Sequence, residues 1–293
     1  MDNLQKLKKT SIRATDIAAQ YWCERQMELN YLFGEKITKE KMDSRIKGTA
    51  FHEELERETA TVPIILMPMS YADSLYKILY MSNAALEALP KNGRCREVQI
   101  YGKLNGFRLV GKIDMLEIKD GRVSIYEDKT KTNEELPSEP QLKSHKAQVI
   151  TYRKMFDDIA SARYTADDFR KDYRTSGLKI TQQFAMQLDS LKVPKEEQSI
   201  DRIAESLFAS FHSLPQLSDN IYLRYTSQLT GKEIKLYKFT YHEEEMKSTL
   251  GFVLSYWSGE RESLPVPEEE KWKCKWCGFF GNRCKVWWPQ QKL

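Results

Sequence analysis

The chain has 293 residues, of which 41% are hydrophobic and 30% are charged, and its formal net charge is +4. This composition excludes a disordered chain, and no apolar run approaches the roughly 20 residues that span a membrane. With so small a net charge, affinity for nucleic acid has to come from local clusters of Lys and Arg. Residues 1–13 are basic but lack the apolar segment of a secretory signal. We therefore expect an intracellular protein, cytoplasmic or, in a eukaryote, nuclear or mitochondrial.

Helical spacing dominates the first 90 residues. Apolar and aromatic residues recur with this spacing over residues 14–33, and Gly34 stands where a helix would stop. The resulting first helix carries Cys23. Further helices are predicted over about residues 49–59 and 71–86.

Strand-type segments follow at residues 97–104, 107–118 and 122–128. Asn105-Gly106 and Asp120-Gly121 separate them, and both dipeptides favour tight hairpin turns. The sequence therefore predicts an antiparallel meander of three strands.

The second half of the chain returns to helical spacing over residues 141–159, where Gln148 and Tyr152 lie one turn apart. Residues 161–215 are polar and mixed in character, and we interpret them as an insertion. Three more elements are predicted: a helix over residues 200–211, a hairpin with strands at 221–228 and 233–240, and a helix over 243–257. The tail from residue 260 is rich first in Pro and then in Cys and Trp.

The meander carries two carboxylates that could bind a divalent cation. Asp114 lies near the centre of the second predicted strand and Glu127 at the end of the third, so pairing across the turn brings them side by side. Because strand side chains alternate, Glu127 and Lys129 share one face, and Asp128 points the other way. Phosphodiester hydrolysis uses such carboxylates to hold a cation that polarises the phosphate and lowers the pKa of the attacking water.

Either carboxylate alone could be an ordinary strand residue that faces solvent. Their apolar neighbours argue otherwise, because a carboxylate inserted into an apolar strand costs energy unless something binds it. We therefore assign metal binding to Asp114 and Glu127, with a further ligand from the backbone carbonyl of Asp128. Lys129 would orient or deprotonate water and offset charge on the phosphate.

Four motifs occur in the order in which RecB-like PD-(D/E)XK nucleases carry theirs. They are Gly48-Thr49-Ala50-Phe51-His52, Gly111-Lys112-Ile113-Asp114, Glu127-Asp128-Lys129-Thr130 and Gln148-Val149-Ile150-Thr151-Tyr152. The chain most resembles the exonuclease V family, whose opening segment is similar to residues 15–26. CRISPR-associated RecB-like nucleases are similar but more compact. The resemblance covers about residues 12–155 and the final 25.

The resemblance implies an α/β fold with a restriction-endonuclease-like core, a mixed sheet flanked by helices. It also implies that His52 completes a Mg²⁺ or Mn²⁺ site with the two carboxylates and that Lys129 is the catalytic lysine. Gln148 and Tyr152 would contact DNA from the following helix. Alone, His52 would be an ordinary histidine, and polar–aromatic pairs are common on helices. Four motifs in the family's order argue against coincidence.

Cysteines form a second group of candidate ligands. Five cysteines in an intracellular protein do not predict a disulfide framework, so metal ligation is the hypothesis to test. Cys274 and Cys277 form a C-x2-C pair, and Cys284 follows after six residues. Either Cys23 or Cys95 could supply a fourth ligand. The spacing leaves zinc open, although no histidine lies near the pair.

In the families that this chain resembles, one N-terminal cysteine joins three C-terminal ones around a [4Fe–4S] cluster. The resemblance therefore assigns Cys23, Cys274, Cys277 and Cys284 to a cluster, with structural zinc as the competitor. Cys95 is then a buried thiol. Related chains commonly have a shorter gap before the last cysteine. The cluster would join the N-terminal helix to the tail as a staple, and its loss should unfold both.

We expect a single nuclease domain over residues 1–293. Its predicted parts are an N-terminal helix with the first cluster ligand (12–34), a catalytic core (48–160), the insertion (161–215) and a C-terminal iron–sulfur segment (260–293). The staple would close the first helix over the core, so a DNA strand would have to be threaded by a free end. Exonuclease activity follows from that closed passage.

The function implied is a metal-dependent exonuclease that hydrolyses single-stranded DNA, 5′→3′, in DNA repair or genome maintenance. We expect a monomer with a single-strand-binding protein as a partner and no membrane association. One alternative is a CRISPR-associated nuclease that trims DNA for spacer acquisition, against which the extra residues 161–215 argue. Another is a non-catalytic iron–sulfur or zinc DNA-binding module, against which the intact set of His52, Asp114, Glu127 and Lys129 argues.

Contacts with the DNA backbone are predicted for two groups of cations near the motifs. They are Lys41, Arg45 and Lys47, and Lys143, Lys146 and Arg153. Five aromatic residues could stack on bases or instead pack around the cluster. They are Tyr21, Trp22, Trp272, Trp276 and Trp287.

Overall fold

A six-stranded mixed sheet flanked by helices forms the fold, which a computed structural model describes over residues 2–35, 42–51 and 66–286. The strands are β1 (Ile12–Arg13), β2 (Arg94–Leu104), β3 (Phe107–Lys119), β4 (Arg122–Lys131), β5 (Leu217–Ser227) and β6 (Glu233–Thr240). The α-helices are α1 (Asn3–Lys6), α2 (Ala14–Phe33), α3 (residues 42–51), α4 (Tyr71–Asn92), α5 (Glu139–Ala160), α6 (Ala166–Tyr173), α7 (Gln182–Ser190), α8 (Ile200–Ser213) and α9 (Glu243–Trp257). Short 3-10 helices cover Lys195–Glu197 and Glu268–Trp276. The predicted α/β class with a mixed, helix-flanked sheet is confirmed.

The predicted meander corresponds to β2, β3 and β4, which pair antiparallel in chain order. Both central residues of each turn have positive φ, at 49° and 84° for Asn105 and Gly106 and at 52° and 71° for Asp120 and Gly121. Turns of this type match the twist of the strands that they join. The second predicted hairpin is likewise present as β5 and β6.

A gap in the sheet lies along one edge of β3. β2 covers the opposite edge of this strand almost completely. On the gapped edge, β3 pairs with β1 at Leu109 and Val110 and with β4 from Met115 to Lys119. In the described part of the chain, no strand covers this edge between Val110 and Met115. The sheet is therefore open beside Asp114.

Helix α5 packs on the face of the sheet that is covered by the hydrophobic core. Its start is fixed by a capping box between Ser138 and Gln141 with Pro140 in the first turn. The helix comes so close to β3 at Gly111 that a Cβ atom there would lie 2.9 Å from Cδ1 of Tyr152. The glycine of the second motif therefore allows the contact between helix and strand.

Replacing Gly111 with alanine is expected to destabilise the protein by about 1–3 kcal/mol, because Tyr152 is fully packed and has to move. Urea unfolding measures the change. The control is Gly251→Ala in α9, where a Cβ atom meets nothing within 4 Å and helix propensity favours alanine. Equal stability of the two variants would contradict the packing argument.

The segment that we interpreted as an insertion forms helices α6, α7 and α8. Phe169, Phe184 and Phe208 from these helices are buried in the same hydrophobic cluster as the inner residues of the sheet. Helix α8 packs on α4, which the structure extends to Asn92, beyond the predicted end at residue 86. Helix α3 was predicted from residue 49, but residues 42–48 are already helical. The rest of that predicted helix lies outside the described residues.

The predicted first helix is present as α2, but it is broken at Cys23. This residue has φ −166° and ψ 105°, which are extended rather than helical values. Two backbone N–H groups after the break find other partners: Arg25 donates to the carbonyl of Leu264 at 2.9 Å, and Gln26 donates to Sγ of Cys23 at 3.4 Å. The C-terminal tail thus supplies a hydrogen-bond acceptor at the break in α2. No helix within the described ranges is long and apolar enough to cross a membrane.

Candidate active site

The gap beside β3 opens into a cleft with a volume of about 800 Å³. Its walls come from β2, β3, β4 and α5 and from the first residues of α2 and part of α3. Asp114, Glu127, Lys129, Gln148 and Tyr152, all predicted as site residues, line it together. The sixth predicted side chain, His52, lies outside the described residues.

An irregularity in two strands turns Asp114 toward the cleft. Glu97, which lies across from Asp114 in the β2–β3 register, has a positive φ of 58°. Ile113 and Leu116 both belong to the hydrophobic core cluster, although regular alternation places residues three apart on opposite faces, so the alternation is interrupted at Asp114. A left-handed residue other than glycine costs energy and, outside tight turns, such residues cluster at functional sites.

Hydrogen bonds link the predicted residues across the cleft. The Asp114 carboxylate accepts from the backbone N–H of Asp128 at 2.7 Å. Lys129 forms an ion pair with Glu127, whose side chain is 1% exposed, and its Nζ also donates to Oε1 of Gln148 at 3.3 Å. Gln148 donates in turn to the hydroxyl of Tyr152 at 2.7 Å. The structure thus brings three of the motifs into one network.

Burial and the neighbouring Glu127 carboxylate raise the pKa of Asp114 well above its usual range. Burial alone would lower the pKa of Lys129, but the charges of Glu127 and Asp114 raise it above its usual value. Lys129 is therefore a cation in this network. A protonated amine can orient water and offset phosphate charge, as predicted for Lys129.

Replacing Asp114 with asparagine is expected to raise Tm of the metal-free protein by about 2–4 °C. This is the shift that a gain of ~1 kcal/mol in the free energy of unfolding produces in a domain of roughly this size. A carboxyl group whose pKa is raised by folding costs stability above its unfolded pKa, and this cost is absent below it. The gain should therefore be present at pH 7 and vanish below about pH 4. Thermal unfolding in EDTA measures it, and a Tm gain that persists at pH 3.5 would contradict the charge argument.

Several residues around the cleft were not predicted from the sequence. Gln228, directly after β5, donates to Oγ1 of Thr130 at 2.8 Å and to the carbonyl of Ser44 at 3.2 Å, so it connects α3 to β4. A Cβ atom at Gly48 would lie 3.1 Å from Oγ1 of Thr130, so the first motif begins against the third. These motifs come together only in the tertiary structure, and no local sequence pattern indicates the role of Gln228.

His145 lies one turn before Gln148 on α5 and is a further residue that the sequence did not point to. Its Nδ1 is 2.7 Å from the hydroxyl of Tyr225. Burial, with the charges of Lys129 and Lys131, lowers its pKa to about 3. The imidazole is thus neutral, and it connects α5 to β5, the strand that pairs with β4.

The predicted phosphate contacts are only partly at the cleft. Arg45 lines it and forms two hydrogen bonds with Glu35 at 2.8 and 2.6 Å. Lys146 pairs with Glu245, and Arg153 pairs with Asp157, both away from the cleft. Lys143 lies over the ring of Tyr21 and does not line the cleft either. Lys47 is exposed, and Lys41 lies outside the described residues. Arg13 and Lys112 line the cleft but were not predicted.

Four of the five aromatic candidates are among the described residues, and none of these four lines the cleft. Trp22 and Trp272 make an edge-on contact with ring centroids 5.8 Å apart, and Lys273 covers the ring of Trp22 at 4.1 Å. Tyr21 packs against Phe252. Trp276 is 83% exposed, and Trp287 lies outside the described residues. Of the two predicted roles, packing near the cysteines fits Trp22 and Trp272.

The four cysteines assigned to a cluster line one small cavity. Cys23, Cys274, Cys277 and Cys284 meet there with apolar side chains such as Leu29 and Val266. Burial and the other three cysteines raise the pKa of Cys23, which the N–H of Gln26 partly opposes, to about 11. Cys95 is buried in the core. Across the described ranges, no three His, Cys, Asp or Glu side chains stand in an arrangement that would already hold a metal ion.

Comparisons with known proteins identify the family of the chain. The family model for exonuclease V, described as a 5′ deoxyribonuclease, matches residues 1–124, 117–206 and 196–288. Exonuclease V of Danio rerio is 26% identical over 283 residues, which cover 94% of this chain and 70% of that protein. A crystal structure of SSO0001 matches 92% of this chain and 84% of its own, at 14% identity and a TM-score of 0.44. The resemblance read from the four motifs is confirmed: the chain belongs to the exonuclease V family, and it is a DNA exonuclease.

Proposed function

We propose that the protein is a PD-(D/E)XK exonuclease that needs a divalent cation and degrades single-stranded DNA from a free 5′ end, in DNA repair or genome maintenance. The observation that carries the proposal is the meeting of Asp114, Glu127 and Lys129 in one cleft. Two acidic side chains and a cation around a groove of this size suit a phosphodiester group.

The carboxylates fit a bound Mg²⁺ or Mn²⁺. Asp114 and Glu127 are held close enough that burial and mutual repulsion raise the pKa of Asp114, and a divalent cation relieves that repulsion. Both side chains and the backbone carbonyl of Asp128 would hold the ion, with His52 as the fourth proposed ligand. When bound, the ion polarises the phosphate and lowers the pKa of the attacking water.

The chain's own residues would position the substrate around that site. Lys129 keeps its positive charge and offsets charge on the phosphate that is attacked. Gln148 holds the Lys129 amine and the Tyr152 hydroxyl in place, so that the three act as one polar wall. Arg13 and Lys112 at the rim would hold neighbouring phosphates without reading bases.

We also propose a [4Fe–4S] cluster on Cys23, Cys274, Cys277 and Cys284, with zinc as the competing occupant. Four sulfur atoms around one cavity are the donor set that either cofactor requires. Bound there, it would join α2 to the tail. This would close a passage over the core, and a single strand with a free end could be threaded through it. We extend the proposal to a monomer that works with a single-strand-binding protein, which analytical ultracentrifugation with and without that partner tests.

Degradation of three single-stranded DNA substrates with Mg²⁺ or Mn²⁺ tests the substrate and the polarity. The substrates are a 3′-labelled linear strand, the same strand with a bulky group at its 5′ end, and a closed circle of the same sequence. We expect a ladder from the first and intact DNA from the other two. Rapid cleavage of the circle would contradict threading, and cleavage of the blocked strand would contradict 5′ entry.

A further inference from the structure

Three charged side chains, of which Asp128 and Arg96 are buried, form a cluster on the face of the sheet opposite Glu127 and Lys129. The Asp128 carboxylate accepts from Nη1 of Arg96 at 2.7 Å, from Nε of Arg224 at 2.8 Å and from Nη2 of Arg224 at 2.7 Å. The exposed fraction of the side chain is 2% for Asp128, 5% for Arg96 and 23% for Arg224. Charges this deep persist only when their geometry is well satisfied.

The cluster crosses the sheet where the cleft opens. Arg96 belongs to β2, Asp128 to β4 and Arg224 to β5. Met115 of β3 lies between them, paired with Arg96 on one side and Tyr126 on the other, and its Sδ is 3.7 Å from Nη2 of Arg224. The register of β3 and β4 ends at the pair Met115–Tyr126 within the described chain. The arginines therefore bridge strands that part from each other just beyond this point.

Asp128 connects the cluster with the cleft. Its side chain lies in the cluster, and its backbone N–H donates to Oδ2 of Asp114 at 2.7 Å. This hydrogen bond comes after the last β3–β4 pair, where no ladder bond fixes the distance between the two strands. The Asp128 N–H is therefore a direct link that holds the Asp114 carboxylate against β4, on the side of Glu127.

We infer that Arg96 and Arg224 are positioning residues for the nuclease site, acting through Asp128. They hold its side chain from the back of the sheet, and its backbone in turn holds the Asp114 carboxylate toward Glu127. The inference rests on the proposed function, because it assumes that the two carboxylates bind the cation. Groups that orient metal ligands typically change metal affinity or activity about 10–100-fold when they are replaced.

Asp128→Asn tests the inference, with Asp158→Asn as the matched control. Asp158 is 4% exposed and also has two cationic partners, Lys154 and Arg163, but it lies at the end of α5 and does not line the cleft. Each variant removes one buried negative charge held by two cations. Thermal unfolding of both variants separates a loss of stability from a change at the site.

Only Asp128→Asn should alter the site. We expect kcat on single-stranded DNA to fall about 10-fold with KM for DNA within about twofold of wild type. The Kd for Mn²⁺, measured by electron paramagnetic resonance without DNA, should rise about 10-fold. Asp158→Asn should leave kcat and the Mn²⁺ Kd within about twofold of wild type, since its charge pair is remote from the ligands.

Equal behaviour of the two variants in kcat and in Mn²⁺ affinity would overturn the inference. Should Asp128→Asn fail to fold, Arg224→Lys keeps the charge but loses the paired hydrogen bonds of the guanidinium, and wild-type values for it would overturn the inference as well. Asp114→Ala separates the two levels of the argument. If it retains full activity, the proposed function itself fails; if it is inactive while Asp128→Asn is normal, only the positioning role fails.

Discussion

Replacing Lys129 with alanine is expected to lower the rate of single-stranded DNA hydrolysis by about 10³-fold, and replacing Asp114 with alanine by at least as much. Electrostatic stabilisation of the reacting phosphate is worth several kcal/mol, and about 1.4 kcal/mol corresponds to a factor of ten. Lys129 supplies positive charge, because the charges of Glu127 and Asp114 stabilise the protonated amine and raise its pKa. Single-turnover digestion of an end-labelled strand at saturating Mn²⁺ measures the chemical step.

The matched control is Lys131→Ala. Lys131 lies two residues further along β4, and it donates to the carbonyl of Leu136 at 3.2 Å and does not line the cleft. Its rate should remain within a few-fold of wild type, because only general surface charge is lost. If Lys129→Ala and Lys131→Ala lost equal activity, Lys129 would have no special place in the reaction.

Replacing Cys274 with serine is expected to abolish the brown colour and the absorbance near 400 nm that a [4Fe–4S] cluster gives to protein purified without oxygen. A hydroxyl is a poor substitute for a thiolate, and Cys274 is one of four sulfur donors around the cavity. Iron and zinc analysis of the same samples identifies the metal. The control is Cys95→Ala, whose thiol is buried in the core and should leave the spectrum intact.

Cluster loss should also release part of the chain. The tail beyond Leu264 is expected to become sensitive to trypsin in Cys274→Ser, since the 3-10 helix Glu268–Trp276 contacts α2 through Trp272 and Lys273, which both meet the single residue Trp22. Residues before it have their own bonds to α2, including Arg261 to Glu24. Colourless wild-type protein that contains one zinc ion per chain would replace the iron–sulfur proposal with the zinc one.

The meander and its carboxylates could be predicted because they depend on local chemistry. Two Xaa-Gly turns set the register of β2, β3 and β4, and the last β3–β4 pair, Met115–Tyr126, lies directly beside Asp114 and Glu127 in the sequence. The order of the motifs then pointed to the family. The position of Glu127 and Lys129 on one face and Asp128 on the other follows from strand alternation, and the structure has it so.

Features that depend on distant parts of the chain escaped the sequence. β1 has only two residues, and its parallel pairing with β3 is decided by packing rather than pattern. The positive φ of Glu97 occurs in a segment with ordinary strand composition. Arg96 and Arg224 meet Asp128 from 32 and 96 residues away, so no motif could mark them. The break at Cys23 is equally invisible, because helical spacing continues through it.

The broken turn of α2 also sets an order of events during synthesis. Glu24, directly after the break, is 2% exposed and is held by Arg261, which is made 237 residues later. At about 5–20 residues per second, roughly 10–50 s pass on the ribosome before that partner emerges. Throughout this interval Glu24 lacks the Arg261 guanidinium, and the N–H of Arg25 lacks the carbonyl of Leu264. The final shape of the N-terminus is thus a late event, and the nascent chain is expected to hold Cys23 exposed to oxidants until Cys274, Cys277 and Cys284 have been translated.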